Sequence, residues 1–503
     1  MNVLLILPIA VPLITAILCI FGRRSRPLQR SIALLGTGVL VFASLALLAS
    51  VYTNGIQTTQ LGNWEAPFGI SFVADTFAAI MVVMTALVGF TVVIFSFANV
   101  DEPRRRFGYF PVMMTLLMGV NGAFLTGDMF NLYVWFEVML ISSFVLMALG
   151  NERMQIEGAI KYFVINIIGS TIFLAADGLL YGLTGTLNMA DLAVTIEQAR
   201  PQGMIPVVAS LFLIAFGIKA AIFPLFFWLP SSYHTPPIAV TALFSGLMTK
   251  VGVYTLVRVF TLIFTEDQAF FSTVFLVIAG LTMVVGVIGA VAQYDMRRLL
   301  SFHIISQIGY LIMGLGIFTV SALTGTVYFM IHVIIAKSAL FFVSGVSAAG
   351  FRTYNLNRLG GLYRGYPLLA LLFFLPAMSL AGIPPLSGFW AKLTLITAGL
   401  EAEQYVIVAV GLGVSVLTMF SMVKIWAEAF WKKHPVRSDA EVAAVFRAVP
   451  AARMRQLMVP VILLAALTVL LGVFANPVLE LSQQAAEQLM NPGGYISAVL
   501  GGR

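Results

Sequence analysis

The stretches GIKAAIFPLFFWLP (217–230) and AMSLAGIPPLSGFWAKL (377–393) decide the fold. Each is an apolar run interrupted by proline, at Pro224 in one and at Pro384 and Pro385 in the other. Each carries a lysine, Lys219 or Lys392, within about two helical turns of the break. Proline inside a helix removes a donor and clashes with the preceding turn. At membrane depth such irregular backbone survives only inside protein or along a wet cavity. The two stretches therefore read as broken spanning helices.

Composition agrees. Of 503 residues, 60% are hydrophobic and 10% charged, against about 25% charged in soluble domains. That balance excludes a soluble enzyme, a nucleic-acid module and a disordered chain. A β-barrel would show short alternating segments, whereas the apolar runs here are roughly 20 residues long, enough to cross a bilayer as a helix. The fold class is an all-α integral membrane protein. About 14 spans are expected, near 2–21, 29–52, 75–98, 108–126, 129–149, 158–184, 206–230, 238–264, 269–292, 300–319, 323–348, 367–397, 403–430 and 457–478. No long polar segment interrupts them, so residues 1–503 form a single membrane domain. The N-terminus is apolar from Val3 without a basic stretch and reads as a first span, not a cleaved signal.

Loop charge tests the count. The odd-numbered loops hold 19 of the 28 basic residues, and the even loops with the tail hold only Arg200 and Arg503. A miscounted helix would scramble that segregation. The positive-inside rule puts the odd loops in the cytoplasm and both termini outside. The two breaks lie five helices apart, and an odd offset reverses orientation. Helices four to eight (107–264) and nine to thirteen (269–430) are therefore expected to be inverted five-helix repeats, an architecture of secondary transporters. The breaks should open backbone groups onto hydrated cavities in opposite halves of the membrane.

Seven basic residues fall inside spans. Lys161, Arg258 and Lys424 lie near span ends, where snorkelling is the simplest reading. Lys219, Lys250 and Lys337 lie too deep for that, and a charge at the bilayer centre costs at least ~2.5–3.5 kcal/mol. Burial disfavours the ammonium, and a nearby carboxylate opposes that effect. A lysine whose carboxylate partner moves away is thus an electrostatic device for pushing protons. Glu137 is the one carboxylate in the middle of span five and reads as the proton-carrying or lysine-tuning acid. His332 and Lys337 share span eleven at i, i+5, about 140° apart, and fit successive steps of a path better than one pair. His303 reads as a packed, hydrogen-bonded histidine, and Asp177 is an intramembrane acid without an assigned role. There is no phosphate loop, HExxH motif or cysteine cluster. Cys19 stands alone as an apolar filler in the first span, and no cofactor or metal is expected.

These residues sit in FEVMLISSFVLMALG (136–150), GIKAAIFPLFFWLPSSYHTPP (217–237), SGLMTKVGVYTLVR (245–258), QYDMRRLLSFHIISQIGY (293–310), IHVIIAKSALFFVSG (331–345) and LAGIPPLSGFWAKL (380–393). Together they resemble the proton-pumping antiporter-like subunits of respiratory NADH:quinone oxidoreductase and of the related Mrp antiporters. Within that family the length and the phrasing around Glu137 are most similar to the D-type subunits of Mrp-type Na+/H+ antiporters. The resemblance implies that Glu137 pairs with Lys219, that Lys250 passes the proton to the centre, that His332 and Lys337 relay it, and that Lys392 is the last station. Some respiratory relatives carry glutamate at the Lys392 place. The resemblance further implies a bacterial cell membrane, other membrane subunits as partners beside lipids, and exchange of cytoplasmic Na+ for external H+, with no nucleic acid. Hard cations want oxygen ligands and intramembrane carboxylates are few here, so the sequence leaves both routes for sodium open, through this subunit or through another. Two rival readings are a pumping subunit of a quinone- or hydrogenase-linked complex and a transport-silent assembly scaffold.

Overall fold

The computed structural model describes residues 2–199 and 201–501, so the loop charges Arg200 and Arg503 lie outside the described residues. The apolar runs close their backbone hydrogen bonds internally, as a bilayer requires. The first are α1 (Val3–Phe21), α2 (Arg26–Asn54), α3 (Thr76–Asn99), α4 (Tyr109–Leu125), α5 (Met129–Ala148) and α6 (Arg153–Thr184). Next come α7 (Ile205–Ala220), α8 (Ile238–Gly246), α9 (Met248–Leu262), α10 (Gln268–Val291), α11 (Met296–Ile317) and α12 (Val320–Phe351). After these follow α13 (Pro367–Ala381), α14 (Ser387–Glu401), α15 (Tyr405–Ile425), α16 (Asp439–Arg447), α17 (Ala451–Val473), α18 (Ala475–Met490) and α19 (Gly493–Leu500). Eleven helices among the described residues are long and apolar enough to cross a membrane, α8 and α9 counting as one, and the shorter apolar helices α4, α7 and α13 fill three other expected spans.

Spans 206–230 and 367–397 break, as their prolines predict: the first helix ends at Ala220, and the second run divides into α13 and α14. Two other expectations need correction. The run 238–264 is interrupted at Leu247, where φ leaves the helical range (φ −113°). Its neighbour Gly246 is a weak signal, since glycine is frequent in membrane helices. The fold is also not purely helical: β1 (Gln57–Gln60) pairs antiparallel with β2 (Ser71–Ala74) between α2 and α3. Helices α18 and α19 follow the last span and fold back onto the bundle. Gln488 accepts from the Thr76 amide at 2.9 Å, and Thr58 donates to the Ala498 carbonyl at 3.1 Å.

Hydrogen bonds sort the loops by parity. Arg105 donates to the Arg23 carbonyl, Arg104 reaches Glu152 at 2.7 Å, Gln155 donates to the Thr235 carbonyl, Arg297 to that of Pro236, and the Gly361 amide to that of Lys432. All of these join odd loops. On the other face, the Gly127 amide donates to Ser71 O at 2.8 Å, Asn188 to Ser71 Oγ at 3.0 Å, and the Asn2 amide to Thr59 Oγ1 at 3.2 Å. These join the N-terminus and even loops.

Two segments are built alike. Asp128 caps α5 and bridges to Asn188; Asp295, 167 residues later, caps α11 and bridges to Asn355. The same spacing relates α6 to α12, both 32 residues long. Helix α7 ends in left-handed Ala221 (φ 59°) and α13 in left-handed Gly382 (φ 94°). The next amide then reaches back, Ile222 to Gly217 O and Ile383 to Met378 O, and a cis proline follows at Pro224 and at Pro385.

The peripheral α1 and α2 are one-third buried, whereas α8–α9 and α12 are buried along their whole apolar windows. The centre of the bundle is thus made of the helices that carry Lys250, His332 and Lys337.

Candidate functional site

Lys219 lies in the last turn of α7, 8% exposed. Its Nζ donates to Asn166 O (3.1 Å) and Ser170 Oγ (3.0 Å) on α6 and stands 5.5 Å from the centre of the Phe136 ring. Glu137 is half-buried on α5, within electrostatic reach of Lys219, but the two do not form an ion pair: among the described residues Glu137 Oε1 is buried without a partner. The pairing implied by family resemblance is therefore open in this conformation. The amine is instead held by neutral oxygens and a ring face. A small cavity lined by Phe136, Met139, Tyr162, Asn166, Lys219 and Trp228 lies at this point.

Lys250 is fully buried in the first turn of α9. Its Nζ donates to Ser245 O at 2.5 Å, across the Leu247 interruption. The interruption frees a carbonyl, and the lysine takes it. Gly252 explains how close α9 comes to the first break: a Cβ there would lie 2.5 Å from the Ala220 amide nitrogen, next to Lys219.

Lys337 is fully buried on α12, and its Nζ approaches Leu300 O at 3.5 Å. It lies within electrostatic reach of both Lys250 and Lys392. His332 points to a different neighbour. Its Nδ1 lies 2.9 Å from Ser387 Oγ and 3.4 Å from Ser379 Oγ, the hydroxyls flanking the second break, and its Nε2 is buried without a partner among the described residues. Gly388 gives the ring its room, since a Cβ there would meet Ser379 O at 1.9 Å and His332 Nε2 at 2.8 Å.

Lys392, 6% exposed on α14, holds the carbonyls released where α13 stops: Leu380 O at 3.0 Å and Ala381 O at 3.2 Å. It also donates to Ser415 Oγ (3.1 Å) and lies 5.0 Å from the Tyr310 ring centre. At the first break, Trp228 Nε1 donates to Ile218 O (3.1 Å), and the Phe223 amide donates to Thr282 Oγ1 (2.9 Å). At both breaks side chains take freed backbone groups, because a partner fixed by the fold costs less than an orphan in an apolar medium.

The structure thus gathers Lys250, His332, Lys337 and Lys392 around α12 and leaves Glu137 with Lys219 as a separate group on α5 to α7. Asp177 lies on the buried face of α6, seven residues beyond Ser170, with neither carboxylate oxygen partnered among the described residues. Arg258 does not snorkel. It is 5% exposed and bonded to Asp75 at 2.6 Å, between the rings of Tyr254 and Tyr495. Sequence reading missed this pair because its members are 183 positions apart; the only signal was an acid at the first position of span three. Lys161 does reach the surface and pairs with Glu157 at 2.5 Å.

A family profile described as "NADH:quinone oxidoreductase/Mrp antiporter, TM" matches residues 126–418. The chain is 47% identical over 500 residues to the D subunit of the Na(+)/H(+) antiporter of Alkalihalophilus pseudofirmus, covering 99% of this chain and 100% of that one. It is 41% identical over 502 residues to the protein of the same name from Bacillus subtilis, with the same coverage. Among solved structures it is similar to a chain of the Mrp complex from Dietzia sp. (TM-score 0.91, 35% identity, all of both chains). It is also similar to a chain of the membrane-bound sulfane sulfur reductase, an archaeal respiratory membrane complex (TM-score 0.88, 26% identity, 99% of this chain and 100% of that one).

Proposed function

This chain belongs to the NADH:quinone oxidoreductase/Mrp antiporter membrane family and, within it, to the D-type subunits of Na+/H+ antiporters, and we propose that it is the proton-moving subunit of a multisubunit Na+/H+ antiporter in the bacterial cell membrane. Its partners are the other membrane subunits of that complex, and its cargo is the proton. The observation that carries the reading is the group at the centre of the bundle. Lys250, Lys337 and Lys392 are buried, Lys337 is within electrostatic reach of the other two, and among the described residues none of the three has a carboxylate within ion-pair distance. Mutually repelling buried amines are costly as fixed charges, but they suit sites that gain and lose protons in turn.

In this reading Glu137 and Lys219 form the first station, Lys250 passes the proton inward, His332 and Lys337 relay it, and Lys392 is the last. Glu137 acts by approaching or leaving Lys219, and the neutral acceptors Asn166 O and Ser170 Oγ hold the amine while the carboxylate is away. Fourteen crossings, and inverted repeats at 107–264 and 269–430, belong to the same reading. Parity-sorted loop bonds support the count. The capped bridges Asp128–Asn188 and Asp295–Asn355 support the inversion, because the first lies among even loops and the second among odd ones. Basic odd loops favour the cytoplasmic side, with both termini outside.

The test is Glu137→Gln, which removes the titrating charge at almost unchanged volume. The complex should assemble normally and lose Na+-driven proton movement in vesicles. Full antiport in an assembled Glu137→Gln complex would remove Glu137 from the path. A second reading, a membrane subunit of a respiratory complex, has the reductase likeness in its favour. Identification of the proteins that co-purify with the tagged chain separates the two.

A further inference from the structure

Helices α11 and α15 run antiparallel and are tied by two cross-helix contacts. Tyr310 OH meets Ser415 Oγ at 2.8 Å, and His303 Nε2 meets Ser421 Oγ at 2.5 Å. Gln307 lies between the two contacts on α11, and Thr418 on α15. In and beside this interval five buried polar atoms have no partner among the described residues: His303 Nδ1, Ser306 Oγ, both side-chain polar atoms of Gln307, and Thr418 Oγ1. All four residues are 0% exposed. Protein interiors partner roughly nine in ten such groups, so five together within about two helical turns are not a packing accident. Water is the partner that fits buried polar groups of mixed donor and acceptor character.

The hydrogen-bond directions are informative. Ser421 Oγ donates to Thr418 O at 2.8 Å, so it accepts from His303 Nε2–H, and Nδ1 on the other side of the ring is left without a partner among the described residues. At one end of the row, Ser415 also accepts from Lys392 Nζ at 3.1 Å. At the other, Ser421 precedes Lys424 by three residues. Lys424 is half-buried and donates to Val291 O (2.9 Å) and Gln293 O (3.0 Å), at the odd-loop face. His303 lies seven residues into α11, about 10 Å from that face. Toward the even-loop face the surroundings differ: Met313, Leu395 and Val408 are buried and apolar. Lys392 thus has a polar continuation toward the odd loops and an apolar seal toward the even ones. The charged groups around the row are Lys337 on α12, Lys392 on α14 and Lys424 on α15.

We propose that His303, Gln307, Thr418 and Ser421 line a water-filled proton branch joining Lys392 to the odd-loop face. The proposal rests on the proton-carrying role inferred above for Lys392. A proton leaves the Lys392 ammonium for the nearest water, which passes one of its own to the next. The lysine is left as a neutral amine, and each water ends with as many protons as it began with. No oxidant or second substrate is involved.

Two measurements on the whole complex, reconstituted in vesicles, test it. In the first, Gln307→Leu combined with Thr418→Val removes polar atoms at similar volume and should slow Na+-driven proton movement about tenfold or more. Gln307 restored alongside Thr418→Ser should return the rate, because the hydroxyl returns. In the second, the lone cysteine is removed by Cys19→Ala, and Thr418→Cys is exposed to a small charged thiol reagent from one side at a time, the adduct being read on this chain by mass. Modification should occur from the odd-loop side only, with Leu395→Cys untouched from either side. An unaltered rate in the Leu/Val double variant, or Thr418→Cys that stays unmodified or reacts from the even-loop side, overturns the branch. The labelling judges the branch even if the double variant does not assemble. Failure of Glu137→Gln to reduce exchange would instead remove the proton-path reading while leaving the labelled water route in place.

Discussion

At the scale of single residues, the site depends on who holds each amine. Lys219 is bound to Asn166 O and Ser170 Oγ while Glu137 stays unpaired nearby. An arginine there would keep its proton under all working conditions. Lys219→Arg is therefore expected to assemble and to retain little exchange activity, and Lys219→Ala or Lys250→Ala to retain none. Full turnover by Lys219→Arg in vesicles would show that a fixed positive charge suffices. Arg258 behaves differently, because its partner Asp75 is in contact at 2.6 Å and both are buried. Arg258→Met strands the Asp75 carboxylate, which should cost about 3–5 kcal/mol and lower the Tm of the purified complex. Adding Asp75→Asn, which keeps the cap on Ala78 N, should recover much of that loss.

At the scale of elements, the two broken helices carry the argument. Each break is closed by backbone turns, with Lys392 holding Leu380 O and Ala381 O at the second, and Trp228 taking Ile218 O at the first. Gly388 lets α14 begin against the end of α13. Gly388→Ala would set a Cβ 1.9 Å from Ser379 O, a backbone atom that cannot swing aside, and 2.8 Å from His332 Nε2. The break must then widen. The expected outcome is a loss of about 1–3 kcal/mol together with lost exchange, seen in thermal unfolding and vesicle transport. Gly413→Ala on α15 has nothing within 4 Å and should leave both unchanged or slightly raise stability through better helix propensity.

At the scale of the whole molecule, loop charge and loop bonding give the same partition. Basic residues crowd the odd loops, and these loops bond to one another. The N-terminus and the C-terminal helices bond with the β1–β2 hairpin and its surroundings on the opposite face. A tag fused at the C-terminus should accordingly be reached by an impermeant reagent in intact cells, and a cysteine placed in the 431–456 loop should not. The reverse pattern would invert the orientation.

The long apolar helices, the two proline breaks and the deep lysines were legible in the sequence, since each is written in a contiguous run: an apolar length, a missing donor, a charge far from either end. The Leu247 interruption and the β1–β2 pairing were not legible. Gly246 alone does not mark a break in a membrane helix, and strands of four residues are too short to show a pattern. Tertiary structure alone decided which atoms face each charge. Lys219 meets an α6 carbonyl 53 positions away, Arg258 meets Asp75 just ahead of α3, and Lys392 meets Ser415 on α15. It likewise set the open Glu137–Lys219 arrangement and the row of unpartnered atoms between α11 and α15. The physical reason is that a charge in a low-dielectric interior is settled by neighbours within a few ångströms, and helix packing brings those neighbours together from distant parts of the chain.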